Sequence, residues 1–487
     1  MPCVDILRSR YVFYAASAKI ANYSDVVHAT INVLHGDVLL EIFDIYVNEA
    51  KREQKWHTLI HVCRKWRFVV FTSPHRLKLQ LLCTCTTPVG KTLHVWPELP
   101  IVISDYDYPK SLAEGAANII AALQHPNRVC EIDLRNVPVS VLERLVTAMQ
   151  KQFQVLRRLM LGTNHKCASA FPDTFLAGSV PQLRNLQLSG IPFLGLPKLL
   201  LSTTNLVHLY LFDIPHSGYV SFEAMVTCLS ALTKLKSLYL EFRSPLSRPD
   251  HANRRPPPLA RITLPAISTL QFKGVSEYLE NLVAQIDAPL LGELGIVFFH
   301  QLVFDTPQLL RFVRRTNTLR EPVEADVLFR GNFVRVNLYS RRQSVKHKIL
   351  GLAILCRESD WQLSSLSQLC NSFLPLLSSL EHVGICEDSL PPHWHGDMEN
   401  TQWLELLQPF TAMKNLYLLK ELAPRILPAL QELTGEGLTE VLPALQNIFI
   451  DGLEPSGHIQ AVIGKFVVTG QLSGHPVAVR RCLMQLS

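Results

Sequence analysis

Four groups of residues have the types and spacing to do chemistry. His57 and His61 stand four apart, on one face if the segment is helical. The glutamate of a His-Glu-x-x-His zinc motif is missing, so a solvated or partner-facing pair is the expectation. Cys83-Thr-Cys85 has no second pair at finger spacing, which reads as two strand cysteines. Cys386, His393, His395 and Asp397 gather in "CEDSLPPHWHGD", yet a metal would also need a defined outer shell, so an exposed polar insertion is expected. Arg311–Lys348 carries ten Lys/Arg against three acids. That suits an acidic or phosphorylated partner, but charge runs are usually a solvated face. There is no Gly-rich phosphate loop, nucleophile elbow or triad order. No catalytic residue, cofactor or metal is expected, and the chain reads as a non-enzyme.

Such groups need elements to hold them, and the totals bound what those are. The chain has 487 residues, 48% hydrophobic and 18% charged, enough to bury a core. A net charge of +6 over that length is a mild bias, so no nucleic-acid partner is expected. Eleven scattered cysteines favour reduced thiols and a cytoplasmic or nuclear location. The apolar run in "RSRYVFYAASA" is shorter than a signal peptide needs, and nothing approaches the roughly 18 apolar residues of a membrane span.

Residues 1–30 show no period and read as a leader. From Leu34 the pattern is helical: Val38, Leu39, Ile42, Phe43 and Tyr46 recur at the spacing of one helix face, and Trp56, Leu59, Ile60, Cys63 and Trp66 repeat it. The charged stretch "NEAKREQK" separates them, and Ser73-Pro74 closes the unit.

The remainder repeats itself. An apolar-x-x-apolar-x-apolar template runs from Val129/Ile132/Leu134 to Leu291/Leu294/Ile296, and again from Ile349/Leu352/Ile354 to Leu445/Ile448/Ile450. Within each run the central residues lie 23–33 apart, the stretched period of a leucine-rich repeat. Helix-compatible segments such as "VSVLERLVTAMQKQF" fill the intervals. Each unit therefore reads as a strand plus a returning helix, and stacking gives them a shared core. The rhythm fails at the proline-rich Arg243–Ile262 and between Arg320 and Lys348, where "VLFRGNFVRVNL" reads as a hairpin through Gly331-Asn332. After each repeat the turn position is apolar (Val137, Ile191, Ile214, Val275), so no regular asparagine ladder is expected.

"LHGDVLLEIFDIYV…WHTLIHVCRKWRFVV" resembles the F-box, through Leu34, Val38, Leu39, Ile42, Phe43, Val62, Cys63, Arg64, Trp66 and Arg67. His35 stands where that pattern has proline. With "SPHRLKLQLLCT" and "VWPELPIVI" following, the chain resembles the F-box proteins of mushroom-forming fungi that carry degenerate leucine-rich repeats. The resemblance implies an α/β fold: a small helical F-box, then an irregular repeat solenoid with parallel strands on the concave face and helices on the convex face. The expected divisions are a leader (1–30), the F-box (31–72), a linker and capping region (73–128) and the repeat array (129–487). The resemblance also implies a substrate-recognition subunit of a Skp/cullin/F-box ubiquitin ligase. Leu34, Val38, Leu39, Ile42, Phe43, Val62 and Trp66 would meet a Skp-type adaptor, and through it a cullin–RING ligase. A repeat-based interaction scaffold outside any ligase, or a receptor with a small-molecule pocket in the arc, would be built from the same parts.

The strand alternation points one set of residues away from the core. The position between the last two core residues holds Tyr210 and Tyr239 in adjacent repeats. With Phe212, Glu241 and Lys273 beside them, they are the expected contact for a protein substrate, since rigid aromatics with a polar rim typify binding centres.

Overall fold

The computed structural model describes residues 34–48, 56–86, 89–90, 93, 98–105, 112–163, 170–245, 261–301, 304–342, 345–356, 361–387, 400–432, 441–452, 458–472 and 477–482. The leader, most of the charged linker and most of the proline-rich segment lie outside these. The chain divides into two compact units, Met1–Leu82 with Gly90–Val102, and Cys83–Val89 with Ile103–Ser487.

The first unit is helical. α1 (Gly36–Asn48), α2 (Trp56–Ile60) and α3 (Arg64–Thr72) pack through Leu39, Phe43, Trp56, Ile60 and Val70, all almost fully buried. Asp37 lies in the first turn of α1, where a carboxylate suits the helix dipole. The stripe from Trp56 to Trp66 is not one helix. It breaks at His61–Val62, and Cys63 caps α3, its Sγ accepting the Trp66 N–H at 3.5 Å. A boundary at residue 72 is too early: Leu77, Leu79 and Leu81 are buried, and the Trp56 indole donates to the Gln80 carbonyl at 3.1 Å. The unit needs the strand that follows its helices. β1 (Leu81–Cys83) and β2 (Ile101–Ser104) lie at the division between the units.

The second unit is a leucine-rich-repeat array. β3 (Val129–Leu134), β4 (Arg158–Gly162), β5 (Asn185–Ser189), β6 (His208–Ile214) and β7 (Ser237–Phe242) pair in chain order and in parallel. A short pair, β8 (Ile262–Thr263) and β10 (Ile286–Asp287), stands apart, while β9 (Thr269–Gly274) and β11 (Glu293–Phe299) continue the sheet. Every template residue is at most 9% exposed, and equivalent leucines face one another (Leu186 with Leu209, Leu238 with Leu270). That is why the period is fixed: a slipped register would bring the inward apolar row out to solvent. One backbone rung precedes each strand, as Arg184 N to Arg157 O, Val207 N to Arg184 O and Lys236 N to Val207 O, each 2.8 Å. The apolar turn residues Val137, Ile191, Ile214 and Val275 are buried where other arrays stack asparagines.

Helices cover the inward face, among them α4 (Leu112–Leu123), α5 (Val139–Ala148), α6 (Leu196–Ser202), α7 (Phe222–Ala231), α8 (Ser276–Gln285) and α9 (Pro307–Arg315). Ser221 caps α7 by accepting the Ala224 N–H. The α9 N-terminus is closed from outside: the Glu280 carboxylate on α8 accepts Gln308 N–H and Leu309 N–H, each at 2.8 Å.

The irregular stretch is a meander. β12 (Glu324–Arg330) turns through Gly331, at φ +45°, into β13 (Phe333–Arg342), which pairs antiparallel with it and with β14 (Val345–Leu355). The chain doubles back, so β14 lies beside β11 and β12 beside the next repeat strand, β15 (His382–Glu387). A bulge beside Ile349 shifts the register, and Leu350 and Leu352, not Leu352 and Ile354, face Leu294 and Ile296. Beyond it α10 (Trp361–Ser372), α11 (Leu374–Leu377), β16 (Asn415–Leu419), β17 (Asn447–Asp451) and β18 (Ala478–Cys482), with α12 (Asn400–Leu407), α13 (Ala423–Glu432) and α14 (His458–Leu472), restore the parallel pattern.

Candidate functional site

Two surfaces stand out, one in each unit. In the first, α1 is apolar on both sides. Leu39, Leu40 and Phe43 point inward, with the Phe43 and Trp66 rings 4.7 Å apart. Val38, Ile42 and Ile45, at the i, i+4, i+7 spacing of one face, are 46%, 38% and 57% exposed. Val62 and Phe68 are also exposed, ahead of α3 and on it. Of the expected adaptor contacts, Val38, Ile42 and Val62 are thus on the surface and Leu34 is half-buried, its carbonyl held by Lys65 Nζ at 2.8 Å. Leu39, Phe43 and Trp66 are interior, and their part in any docking is to hold α1 in place. The heptad spacing could not tell the two faces of α1 apart, because both are apolar. Ile45 is the residue that the sequence reading missed.

In the second unit the sheet face opposite the helices carries the outward row. Tyr210 and Tyr239 sit directly across from each other, rings 4.8 Å apart, and Phe212 lies 5.9 Å from Tyr239. His208 extends the cluster, stacking on Tyr210. Burial raises the pKa of the Tyr239 phenol, with Tyr210, Glu293 and Glu241 adding to the effect. Glu241 follows on the same strand face and stands opposite Lys273 on β9, so all five expected substrate contacts share one patch. Burial pushes the Glu241 carboxyl above its usual range, against a smaller opposing pull from Lys273. Behind the patch, Leu211, Phe212, Met225, Leu240 and Phe242 line a small apolar crevice.

Further along the same row the side chains disappear. Gly295 pairs with Gly351, and Gly384 pairs with Asp326. Their neighbours lie flat in the vacated space: a Cβ on Gly295 would meet Gln271 Oε1, and one on Gly384 would fall 2.8 Å from Asp326 Oδ1. Beyond that low stretch Tyr417 and Phe449 stack at 4.8 Å.

Among the described residues no cluster of His, Cys, Asp and Glu could hold a metal, and no helix is long and apolar enough to cross a membrane. His57 packs edge-on to Trp56, and burial lowers its pKa. Cys83 and Cys85 are buried and not in a disulfide. His393, His395 and Asp397 lie outside the described residues. Members of the basic stretch are engaged locally: Arg315 with Asp287 at 2.6 Å, Lys348 with Glu293 at 2.9 Å, and Lys346 between Glu324 and Asp326.

No family model matches the chain, and no curated protein matches it. Among solved structures, the leucine-rich-repeat-containing protein LegL7 from Legionella pneumophila is similar over 77% of this chain and 96% of its own, at 14% identity and a TM-score of 0.28. The repeat assignment here rests on the register and burial described above.

Proposed function

We propose that this chain is a non-catalytic substrate receptor: an F-box hook that docks a Skp-type adaptor of a cullin–RING ubiquitin ligase, and a repeat array that holds a protein substrate. The observation that carries the proposal is the second apolar face of α1. A helix that already buries Leu39, Leu40 and Phe43 in its own unit has no internal use for Val38, Ile42 and Ile45. Apolar side chains at i, i+4 and i+7 on an exposed helix are the pattern of a helix that packs against a partner. The F-box resemblance supplies the kind of partner. The second element is the aromatic patch at Tyr210 and Tyr239, on a rigid sheet face that leucine-rich repeats offer for protein binding.

The deciding experiment is co-purification of the full chain with a Skp-type adaptor and cullin, parent against Val38→Asp/Ile42→Asp. Loss of both partners in a folded variant supports the ligase reading. A parent chain that captures neither partner, while the repeat face still binds protein, leaves a repeat scaffold outside any ligase.

A further inference from the structure

We propose that the Tyr239 patch receives an arginine side chain of the bound protein, its guanidinium pairing with the Glu241 carboxylate and stacking on the Tyr239 and Phe212 rings. This names the chemistry of the substrate and rests on the reading of the repeat face as the substrate surface.

The argument starts at a bulge. The β6–β7 register shifts between Leu211 and Ile214, and Asp213 there takes a left-handed conformation, φ +52°. That conformation is unusual for a residue with a side chain. It brings the Asp213 carboxylate to Arg243, whose Nε and Nη2 donate to it at 2.9 and 2.7 Å. The guanidinium two residues past Glu241, just beyond the end of its strand, is therefore taken. Lys273 stands opposite in register and its charge acts on Glu241, yet no ion pair or hydrogen bond joins the two side chains. Among the described residues Glu241 is a half-buried carboxylate with neither a hydrogen bond nor an ion pair, on the strand face it shares with Tyr239. Partly screened from water, such a carboxylate is open to a cation from outside, and a charge-assisted hydrogen bond there is stronger than a neutral one.

The rings select the same charge. Tyr239 and Glu241 are two residues apart on one strand face, about 7 Å at the usual rise. Phe212 flanks Tyr239 at 5.9 Å. A cation on the Glu241 carboxylate that leans toward Tyr239 would come within the roughly 6 Å reach of a ring face, whose quadrupole attracts cations and repels anions. Arginine fits better than lysine because its planar group can stack and donate in a fork at once. Its attraction is local: the whole chain carries a net charge of +6 and would repel a basic peptide in general.

The test uses the full chain and fluorescein-labelled twelve-residue Gly/Ser peptides carrying three Arg, Lys, Gln or Glu residues, read by fluorescence anisotropy. The Arg peptide should bind at least tenfold tighter than the Gln and Glu peptides. Glu241→Gln and Tyr239→Ala should each remove that preference with the circular dichroism unchanged, and Lys273→Met should tighten binding. Absence of Arg-peptide binding, equal binding of the Glu peptide, or an unaltered preference in Glu241→Gln overturns the proposal. Equal binding of the Lys peptide overturns the arginine assignment. Val38→Asp/Ile42→Asp should bind the peptide like the parent, so a failure of adaptor docking is read separately from a failure of this site.

Discussion

Ile42 and Phe43 are neighbours in sequence with opposite fates, and separating them tests the docking reading directly. Phe43 is fully buried against Trp66, whereas Ile42 is 38% exposed on the outer stripe. Truncating a fully buried Phe typically costs about 3–5 kcal/mol, from lost transfer energy and the cavity left behind. The first unit is a small core, where total stability rarely exceeds about 3–5 kcal/mol. Phe43→Ala should therefore melt it. Ile42→Asp removes part of an exposed stripe, and its folding cost should stay near the ~1 kcal/mol typical of point changes. Against an apolar partner the same aspartate would be buried without a pair, so a loss of about 2 kcal/mol or more, roughly thirtyfold in affinity, is expected. The assay is titration calorimetry with purified adaptor, with thermal melts followed by Trp fluorescence. If Ile42→Asp binds as the parent does, or if Phe43→Ala stays folded, the assignment of the two faces of α1 is wrong.

Tyr210→Ala with Tyr239→Ala should weaken substrate binding at least tenfold and leave adaptor binding intact, measured on whichever protein co-purifies with the chain. Gly115→Ala should destabilise the second unit by more than about 1 kcal/mol, because the new Cβ would lie 2.3 Å from the Cys85 Cβ and 2.4 Å from its carbonyl oxygen. Urea midpoints would show it. Glu280 titrates at about 7 in the fold, raised by burial from 4.5 against two opposing backbone N–H groups. The folded state thus keeps a proton that the unfolded chain releases, and this contribution to stability is lost as pH rises from about 4.5 to about 7. In Glu280→Gln the urea midpoint should fall less between pH 5 and pH 8 than in the parent. Removing residues 1–82 should leave the repeat unit, which includes Cys83–Val89, with a cooperative melt, whereas a cut at 73 strands Leu77, Leu79 and Leu81 without their core.

What was legible in the sequence is what periodicity encodes. The template from Val129 to Ile450 marks inward residues, and it stays correct in the degenerate repeats because each position must be apolar to be buried. The Gly331-Asn332 hairpin was legible for a local reason, since the turn needs a positive φ. Three things were not. The order of the meander is a choice among pairings, and the apolar run "ILGLAIL" fits two registers until the bulge beside Ile349 fixes one. The boundary of the first unit depends on which core claims Leu77, Leu79 and Leu81. The patch itself was readable from alternation, but the pairing of Arg243 with Asp213, and so away from Glu241, follows from the backbone at Asp213, which no spacing rule records.

The doubling back of β12–β14 also bears on how the chain reaches this structure. In most of the array a strand pairs with the one before it, as Leu209 with Leu238, so growth by addition keeps every loop short. At the meander Leu294 must wait for Leu350, 56 residues on, and Ala325 for Val383, 58 residues on. Closing longer loops before any pairing rewards them slows the step. The repeats on either side can each zip up from within, so the meander is where two independently growing stretches have to be joined. A refolding trace should show a fast phase from the flanking repeats and a slower one reported by Tyr339 and Trp361, with amides in β11 and β14 the last to gain protection from exchange.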